Sequence, residues 1–152
     1  MEAVTFSGSA SSGGIARELA YADIKVGDRA ELSKQVTDAD IMAFATVTGD
    51  FNPVHVNEEY AKKTQFGGRI AHGMLTAGLV SAVLGMKLPG ANAIYMKQEL
   101  AFLGPVRIGD TVTAAVEVIE KVDEKHRVIL RTSVTNQDGK LILDGKATLM
   151  KK

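Results

Sequence analysis

The feature that most constrains the fold of this chain is a run of apolar and small residues between Ala71 and Gly85. Drawn as a helix, the run is apolar or small on every side, a pattern typical of a helix with no solvent face. It is shorter than the about 20 apolar residues that span a bilayer, and Thr76 and Ser81 interrupt it. The sequence therefore predicts a helix over residues 72–84 that lies inside a core.

The second half of the chain is rich in Val, Ile, Thr and Leu and is predicted to form strands. Val112, Ala114 and Val116 alternate with neighbours on the other face, as in a half-buried strand. The predicted strands are Ala30–Val36, Ala93–Leu103, Thr111–Val122, Arg127–Asn136 and Lys140–Met150. Short turns between consecutive strands indicate an antiparallel sheet. One apolar helix and one long antiparallel sheet predict an α+β fold, with the helix in the concave face of the sheet.

A helix is also predicted directly before the polar centre of the sequence. Thr37 is suited to be its N-cap, with Asp40 three residues later, and Gly49 is suited to end it. Residues 1–19 include a Gly- and Ser-rich stretch that is predicted to be a flexible tail. Residues 20–152 are predicted to form a single domain.

Composition excludes several classes of function. Eighteen basic and eighteen acidic residues balance to zero formal charge, which argues against a protein that depends on nucleic acid or an anionic membrane for affinity. The chain has no cysteine, so disulfides and thiolate metal sites are unavailable. No basic segment followed by an apolar block opens the sequence, so a soluble cytoplasmic protein is expected.

Asp50 and His55 are the strongest candidates for chemistry. Asn52-Pro53 bends the chain between them, so both side chains can converge on one small molecule. A carboxylate and an imidazole that share a water supply a general base and a general acid, and the Asn52 amide can orient one of them. Spacing alone also fits a structural turn in which Asp50 caps backbone N–H groups and His55 is half-buried.

A resemblance to a known family favours the catalytic alternative. The two strings that carry it are Gly49-Asp50-Phe51-Asn52-Pro53-Val54-His55 and Ile70-Ala71-His72-Gly73-Met74. Together they resemble the hydratase signature of the MaoC-like hot-dog proteins, and they are most similar to the (R)-specific enoyl-CoA hydratases that feed polyhydroxyalkanoate synthesis. The likeness covers roughly residues 22–150, including the turn Ile108-Gly109-Asp110.

This resemblance implies a hot-dog fold and hydration of trans-2-enoyl-CoA. It makes Asp50 and His55 the catalytic pair and gives the backbone N–H of Gly73 to the thioester oxygen. If Gly73 opens the central helix, its N–H is an unpaired donor at the positive end of the helix dipole. Either Asp50 or His55 can then be the formal base. The resemblance also implies a homodimer or a dimer of dimers, with acyl-CoA as substrate. The charge balance and the length of the apolar run predict no nucleic-acid or membrane partner.

Other residues are expected to support this site. His72 is predicted to anchor the start of the helix by hydrogen bonds rather than to act as a third catalytic group. Ser81 and Leu84 lie one turn apart and are candidates to line an acyl pocket, although plain packing explains them as well. No paired ligand spacing supports a metal site from Asp50, His55 and His72. No cofactor is expected, because coenzyme A is part of the substrate.

Rival functions remain within and outside the fold. A hot-dog thioesterase would direct water to the thioester carbonyl and release a free thiol. A 3-hydroxyacyl dehydratase would run the same chemistry on carrier-bound substrates. A non-catalytic acyl-CoA-binding subunit would bind the same ligands without turnover.

Overall fold

The computed structural model describes residues 4–6 and 14–152 and contains one six-stranded sheet. The strands are β1 (Thr5–Phe6), β2 (Arg29–Gln35), β3 (Ala93–Phe102), β4 (Thr111–Val122), β5 (Arg127–Thr135) and β6 (Leu141–Lys151). Their order across the sheet is β1-β2-β4-β5-β6-β3. The helices are α1 (Asp38–Thr48), α2 (Pro53–Val56), α3 (Glu58–Ala61) and α4 (Gly73–Met86). No helix within the described residues is long and apolar enough to cross a membrane.

The five long strands pair antiparallel, as the strand pattern and the short turns predict. Their observed ends lie within one residue of the predicted ends. The register of β3 on β6 requires a glycine at Gly145, because a Cβ there would lie 1.9 Å from the carbonyl oxygen of Glu99. Gly145 therefore allows the edge strand β3 to approach its neighbour closely.

Helix α1 forms where its end signals predict it. The Thr37 hydroxyl accepts the backbone N–H of Asp40, and the Asp40 carboxylate accepts the backbone N–H of Thr37. This capping box satisfies two donors that the helix itself leaves unpaired. Gly49 ends the helix in the left-handed conformation at φ 81°, which glycine adopts without a steric penalty. The chain then leaves α1 directly into the turn that carries Asp50.

Helix α4 packs against the sheet through one side only. Val80, Val83 and Leu84 are fully buried in the main core, together with inward-facing residues of β4 and β5. The expectation of a helix with no solvent face is wrong for the described chain, because Met74, Ser81 and other positions on the opposite side are exposed. A single sheet covers one side of a helix, so the apolar character of the other side needs a separate explanation.

Parts of the predicted tail, residues 1–19, contact the rest of the domain. Thr5–Phe6 forms a parallel pair with β2, and the N–H of Val4 donates to the buried carboxylate of Asp28 at 3.0 Å. The backbone N–H of Arg17 donates to the carbonyl oxygen of Met86 at 2.9 Å, at the end of α4. These contacts attach parts of the N-terminal segment to the domain. The remainder of the predicted tail, residues 1–3 and 7–13, lies outside the described residues.

Candidate active site

Two consecutive side-chain hydrogen bonds shape the turn between α1 and α2. The Asp50 Oδ1 atom accepts the N–H of Asn52 at 3.2 Å, and the Asn52 Oδ1 atom accepts the N–H of Val54 at 3.2 Å. Asn52 is thereby the N-cap of α2, and Pro53 occupies its first turn. Proline suits that position because its φ is already helical and it has no N–H to satisfy. Asn52 thus orients the short helix that carries His55 through backbone capping.

His55 is held at both its ring and its backbone. Its Nδ1 atom lies 2.9 Å from the carbonyl oxygen of Ile70. Because a carbonyl only accepts, Nδ1 carries the hydrogen, and Nε2 keeps its lone pair when the ring is neutral. The Arg69 Nε atom donates to the His55 carbonyl at 2.6 Å, and the Arg69 guanidinium pairs with Asp38 at 2.7 Å. The imidazole is therefore fixed in the tautomer that a general base requires.

His72 joins the Asp50 turn to the start of α4. It is the N-cap residue of that helix, and its side chain is only 2% exposed. Its Nε2 atom donates to the carbonyl oxygen of Asp50 at 2.9 Å. Its ring stacks on His55 with centroids 4.0 Å apart and contacts the Phe44 ring at 4.7 Å. His72 therefore contacts both Asp50 and His55 and connects them to the start of α4.

The structure brings the predicted pair together. One ligand atom each from Asp50, His55 and His72 lies within 4.8 Å of the other two. Asp50 is exposed and His55 is half-buried, so a water molecule can reach both. A carboxylate and an imidazole that converge this closely can share one water and exchange a proton with it.

The geometry of the two imidazoles disfavours a shared metal ion. A metal bound by two histidines must lie near the plane of each ring, about 2.0–2.1 Å from each nitrogen. The rings of His55 and His72 are stacked and inclined by only 30°, so their planes converge well beyond that distance. The Nδ1 atom of His55 and the Nε2 atom of His72 are also engaged with carbonyl oxygens. The arrangement suits proton transfer better than coordination.

A cavity of about 420 Å³ opens beside His55 and the first turn of α4. Its walls are mainly apolar, and they come from α4, the segment before it, the β3–β4 connection and β6. The lining residues that matter below are His55, Gly73, Thr76, Phe102, Ile142 and Leu143. Its volume lies within the range of about 300–1,000 Å³ that is usual for small-molecule sites.

Gly73 begins α4 at the edge of the cavity. It is the first residue of α4, so its N–H has no acceptor within the helix and points along the positive end of the dipole. A Cβ at Gly73 would lie 2.8 Å from two atoms of the Phe102 ring. The aromatic ring therefore stands directly over the Gly73 backbone, and only glycine leaves this approach open.

The predicted acyl-pocket residues lie elsewhere. Ser81 is exposed and borders a separate groove between α4 and β3, together with Met74, Met96 and other residues. Leu84 is 0% exposed and belongs to the core between α4 and the sheet. Neither side chain lines the cavity beside His55, so a role in binding the acyl chain stays a prediction for both.

Sequence reasoning missed Thr76 and Phe102. In the sequence, Thr76 only interrupts an apolar run, and Phe102 is one apolar residue of a predicted strand. Both line the cavity with His55 and Gly73. Apolar periodicity alone does not separate cavity walls from core, but a hydroxyl three residues after Gly73 inside an apolar run was an available signal.

A family model described as a MaoC like domain matches residues 22–138, which is most of the chain. The chain belongs to the MaoC-like domain family. It is 54% identical over 130 residues to an (R)-specific enoyl-CoA hydratase of Rhodospirillum rubrum, covering 86% of this chain and 90% of that protein. It is 47% identical over 131 residues to a 3-hydroxybutyryl-CoA dehydratase of Methylorubrum extorquens, covering 86% of this chain and 83% of that protein.

The fold of this MaoC-like chain also matches a solved structure. The unliganded R-hydratase PhaJ1 from Pseudomonas aeruginosa superposes with a TM-score of 0.85 and 43% identity, covering 90% of this chain and 87% of that one. The predicted family and the α+β hot-dog fold are therefore confirmed: a long antiparallel sheet wraps one side of the central helix α4.

Proposed function

We propose that this chain is a hydro-lyase that adds water to trans-2-enoyl-CoA and forms (R)-3-hydroxyacyl-CoA by syn addition. One observation carries the proposal: the Asp50 carboxylate and the His55 imidazole converge near the N–H end of α4, where His55 and Gly73 line an apolar cavity. The similarity to an (R)-specific enoyl-CoA hydratase over most of both chains supports the same reaction.

The residues divide the reaction between them. Asp50 and His55 hold one water molecule, and one of the two accepts its proton while the oxygen forms a bond to C3. The electrons of the C2–C3 double bond shift toward the thioester, and negative charge builds on its oxygen. The N–H of Gly73 stabilises that charge at the helix terminus. A proton then passes to C2 from the same side, which leaves the active-site groups in their starting state.

The same arrangement also catalyses the reverse reaction, because hydration and dehydration share one transition state. Similarity to a 3-hydroxybutyryl-CoA dehydratase is consistent with this chemistry. The balance of reactant and product then depends on their concentrations. A thioesterase would need water at the thioester carbonyl instead of C3, and it would release a thiol that a thiol reagent detects.

A crotonyl-CoA hydration assay with chiral analysis of the product tests the proposal. Wild-type protein should consume the conjugated enoyl absorbance, release no thiol and yield the (R)-3-hydroxy product. Asp50→Asn and His55→Ala should each lower kcat by about 10²–10⁴-fold, the usual contribution of a positioned acid or base. Both variants should keep the fold and the binding of acyl-CoA.

Two variants provide matched controls. Asp138→Asn changes an exposed carboxylate in the β5–β6 turn, and His126→Ala changes an exposed histidine before β5. Both should leave turnover close to that of the wild type. Full turnover in Asp50→Asn and His55→Ala, or release of free thiol from the substrate, would contradict the hydratase assignment.

The proposal includes a homodimer. Strand β3 is the last in the sheet, so among the described strands one of its edges has no neighbour. Exposed apolar side chains lie on this strand or directly after it, and they are Ile94, Tyr95, Met96, Phe102 and Leu103. The exposed side of α4 borders the same strand across a groove of about 450 Å³. Pairing of β3 with β3 of a second copy would satisfy the free edge and cover this apolar surface.

The proposed reaction needs no cofactor, since water and the enoyl thioester supply every atom of the product. Coenzyme A enters as part of the substrate. A cytoplasmic location is the final part of the proposal, and cell fractionation with an antibody against the chain tests it.

A further inference from the structure

Thr76 is a buried residue that borders the apolar cavity. Its side chain is buried, with the residue only 3% exposed, yet it is one of the residues that line the cavity. No hydrogen bond to the Thr76 hydroxyl is found among residues 4–6 and 14–152, and the hydroxyl is not one of their fully buried, unpaired polar atoms. Buried hydroxyls normally have a partner, because losing hydrogen bonds to water without replacement is unfavourable. Because Thr76 lines the cavity, a ligand there can supply the partner that the protein does not.

Two other helical threonines use their hydroxyls for hydrogen bonds within their own helix, and Thr76 does not. The hydroxyls of Thr46 and Thr48 donate to carbonyl oxygens four residues back in α1, at 2.8 and 2.7 Å. The carbonyl at the equivalent position for Thr76 belongs to His72, and it accepts the N–H groups of Leu75 and Thr76. The Thr76 hydroxyl is thus left for a ligand rather than used to close its own helical turn.

Helix geometry directs this hydroxyl toward the oxyanion donor. Thr76 follows Gly73 by three residues in α4, so the two positions lie on the same face one turn apart. Side chains in a helix lean toward its N-terminus, which brings Thr76 over the turn that Gly73 begins. The Gly73 N–H and the Thr76 hydroxyl therefore face one region of the cavity.

We infer that the Thr76 hydroxyl is a second hydrogen-bond donor to the thioester oxygen, beside the N–H of Gly73. This inference rests on the proposed hydratase function and adds a catalytic residue to it. The hydrogen stays on the Thr76 oxygen throughout, and no covalent bond to the enzyme forms. The hydroxyl strengthens its hydrogen bond as negative charge builds on the thioester oxygen during attack at C3.

The kinetic test uses two substitutions that separate the hydroxyl of Thr76 from its methyl group. Thr76→Val removes the hydroxyl and keeps the branched shape, whereas Thr76→Ser keeps the hydroxyl and removes a methyl group. Thr76→Val should lower kcat for crotonyl-CoA by about 10- to 100-fold, below the upper range known for the loss of one oxyanion donor. Thr76→Ser should retain most of the wild-type kcat. Thermal unfolding of both variants should show that the fold persists.

A spectroscopic test reports on the thioester oxygen itself. Crotonyl-CoA labelled with carbon-13 at the carbonyl is bound to the Asp50→Asn variant, whose slow turnover leaves time to record the bound substrate. The carbonyl stretch is measured by rapid infrared difference spectroscopy. Hydrogen bonds to the oxygen shift this band to lower frequency. Adding Thr76→Val should reverse part of the shift, and adding Thr76→Ser should preserve it.

Three results would overturn the inference. The first is a kcat of Thr76→Val within twofold of the wild-type value. The second is an unchanged carbonyl band in the Thr76→Val double variant, which would assign the hydroxyl to the attacking water. The third is a loss shared equally by Thr76→Ser, which would indicate packing. Each of these leaves the hydratase function intact if Asp50→Asn and His55→Ala are still inactive, so the two proposals fail separately.

Discussion

The imidazole rings of His55 and His72 stack with their centroids 4.0 Å apart and their planes inclined by 30°. This contact joins α2, which carries one of the two proposed proton-transfer groups, to the start of α4, which carries the proposed oxyanion donor. The hydrogen bond from His72 Nε2 to the Asp50 carbonyl connects Asp50 to the same pair of helices. The buried His72 side chain thus sets the separation of all three proposed reacting groups.

Replacing His72 should damage turnover more than substrate binding. His72→Phe keeps an aromatic ring against His55 and Phe44 but removes the donor to the Asp50 carbonyl. We expect kcat to fall about tenfold with a smaller change in KM, and the stability to fall by about 1 kcal/mol, a typical net value for one hydrogen bond. Steady-state kinetics and urea unfolding measure the two effects.

The control for this prediction is His72→Gln, whose side-chain amide can still donate toward the Asp50 carbonyl. It should recover part of the lost kcat while losing the ring stack. If His72→Phe retains more kcat than His72→Gln, the stacked ring rather than the hydrogen bond positions Asp50.

Substituting Gly73 should block the site through Phe102. In Gly73→Ala the new methyl group would lie 2.8 Å from the Phe102 ring, so the ring must move into the space that the thioester needs. We expect a fall in kcat/KM of at least tenfold with little loss of stability, because alanine is a better helix residue than glycine. Crotonyl-CoA kinetics and thermal unfolding measure this.

A double variant isolates the steric cause. Phe102→Ala removes the ring that the new methyl group would meet, so Gly73→Ala should cost much less activity in the Phe102→Ala background than alone. Additive losses in the two backgrounds would mean that the methyl group obstructs the substrate itself and not Phe102.

Local signals in the sequence predict much of this structure. The Thr37–Asp40 capping box and the glycine that ends α1 involve residues a few positions apart, so their geometry follows from nearby chemistry. The strands after residue 92 are equally well marked by their alternation and turns. The Asp50–His55 bend is local too, since Asn52 and Pro53 lie between its two ends.

The walls of the cavity could not be predicted in the same way. Phe66, Phe102 and Leu143 meet there although they are far apart in the chain. An apolar residue on a strand gives no sign of whether it faces a packed core or an empty space. The exposed side of α4 was missed for a related reason: its small and apolar residues indicate contact, but not whether the contact is with this chain or with another copy.

Acidification should weaken the start of α1 through Asp40. Burial alone would raise the pKa of Asp40, but hydrogen bonds from Thr37 and the Lys34 ammonium hold it below its ordinary value of 3.8. A carboxyl group whose pKa is lower in the folded state stabilises the fold above its unfolded-state pKa. That stabilisation is lost as the pH falls through the folded-state pKa.

The variant Asp40→Asn should therefore be less stable than the wild type at pH 7 and should lose less stability between pH 5 and pH 3, the region about the unfolded-state pKa. Urea unfolding across this range measures the difference. Asp138→Asn, at an exposed turn, serves as the control and should follow the wild-type curve. Parallel curves for Asp40→Asn and wild type would show that the cap carboxylate does not contribute to acid sensitivity.

Charge on the free edge of β3 should separate the proposed dimer. Ile94 and Met96 are exposed on this edge strand, so a lysine at either position would bring like charges together in a symmetric pairing of two β3 strands. Ile94→Lys and Met96→Lys should shift the protein from dimer to monomer in size-exclusion chromatography with light scattering. Ile119→Lys places the same charge on an exposed position of β4 and should leave the dimer intact.

Because dimer stability depends on protein concentration, the unfolding temperature of the wild type should rise with concentration and that of the β3 variants should not. A wild-type protein that is monomeric at concentrations where it is fully active would remove the need for a partner at this edge.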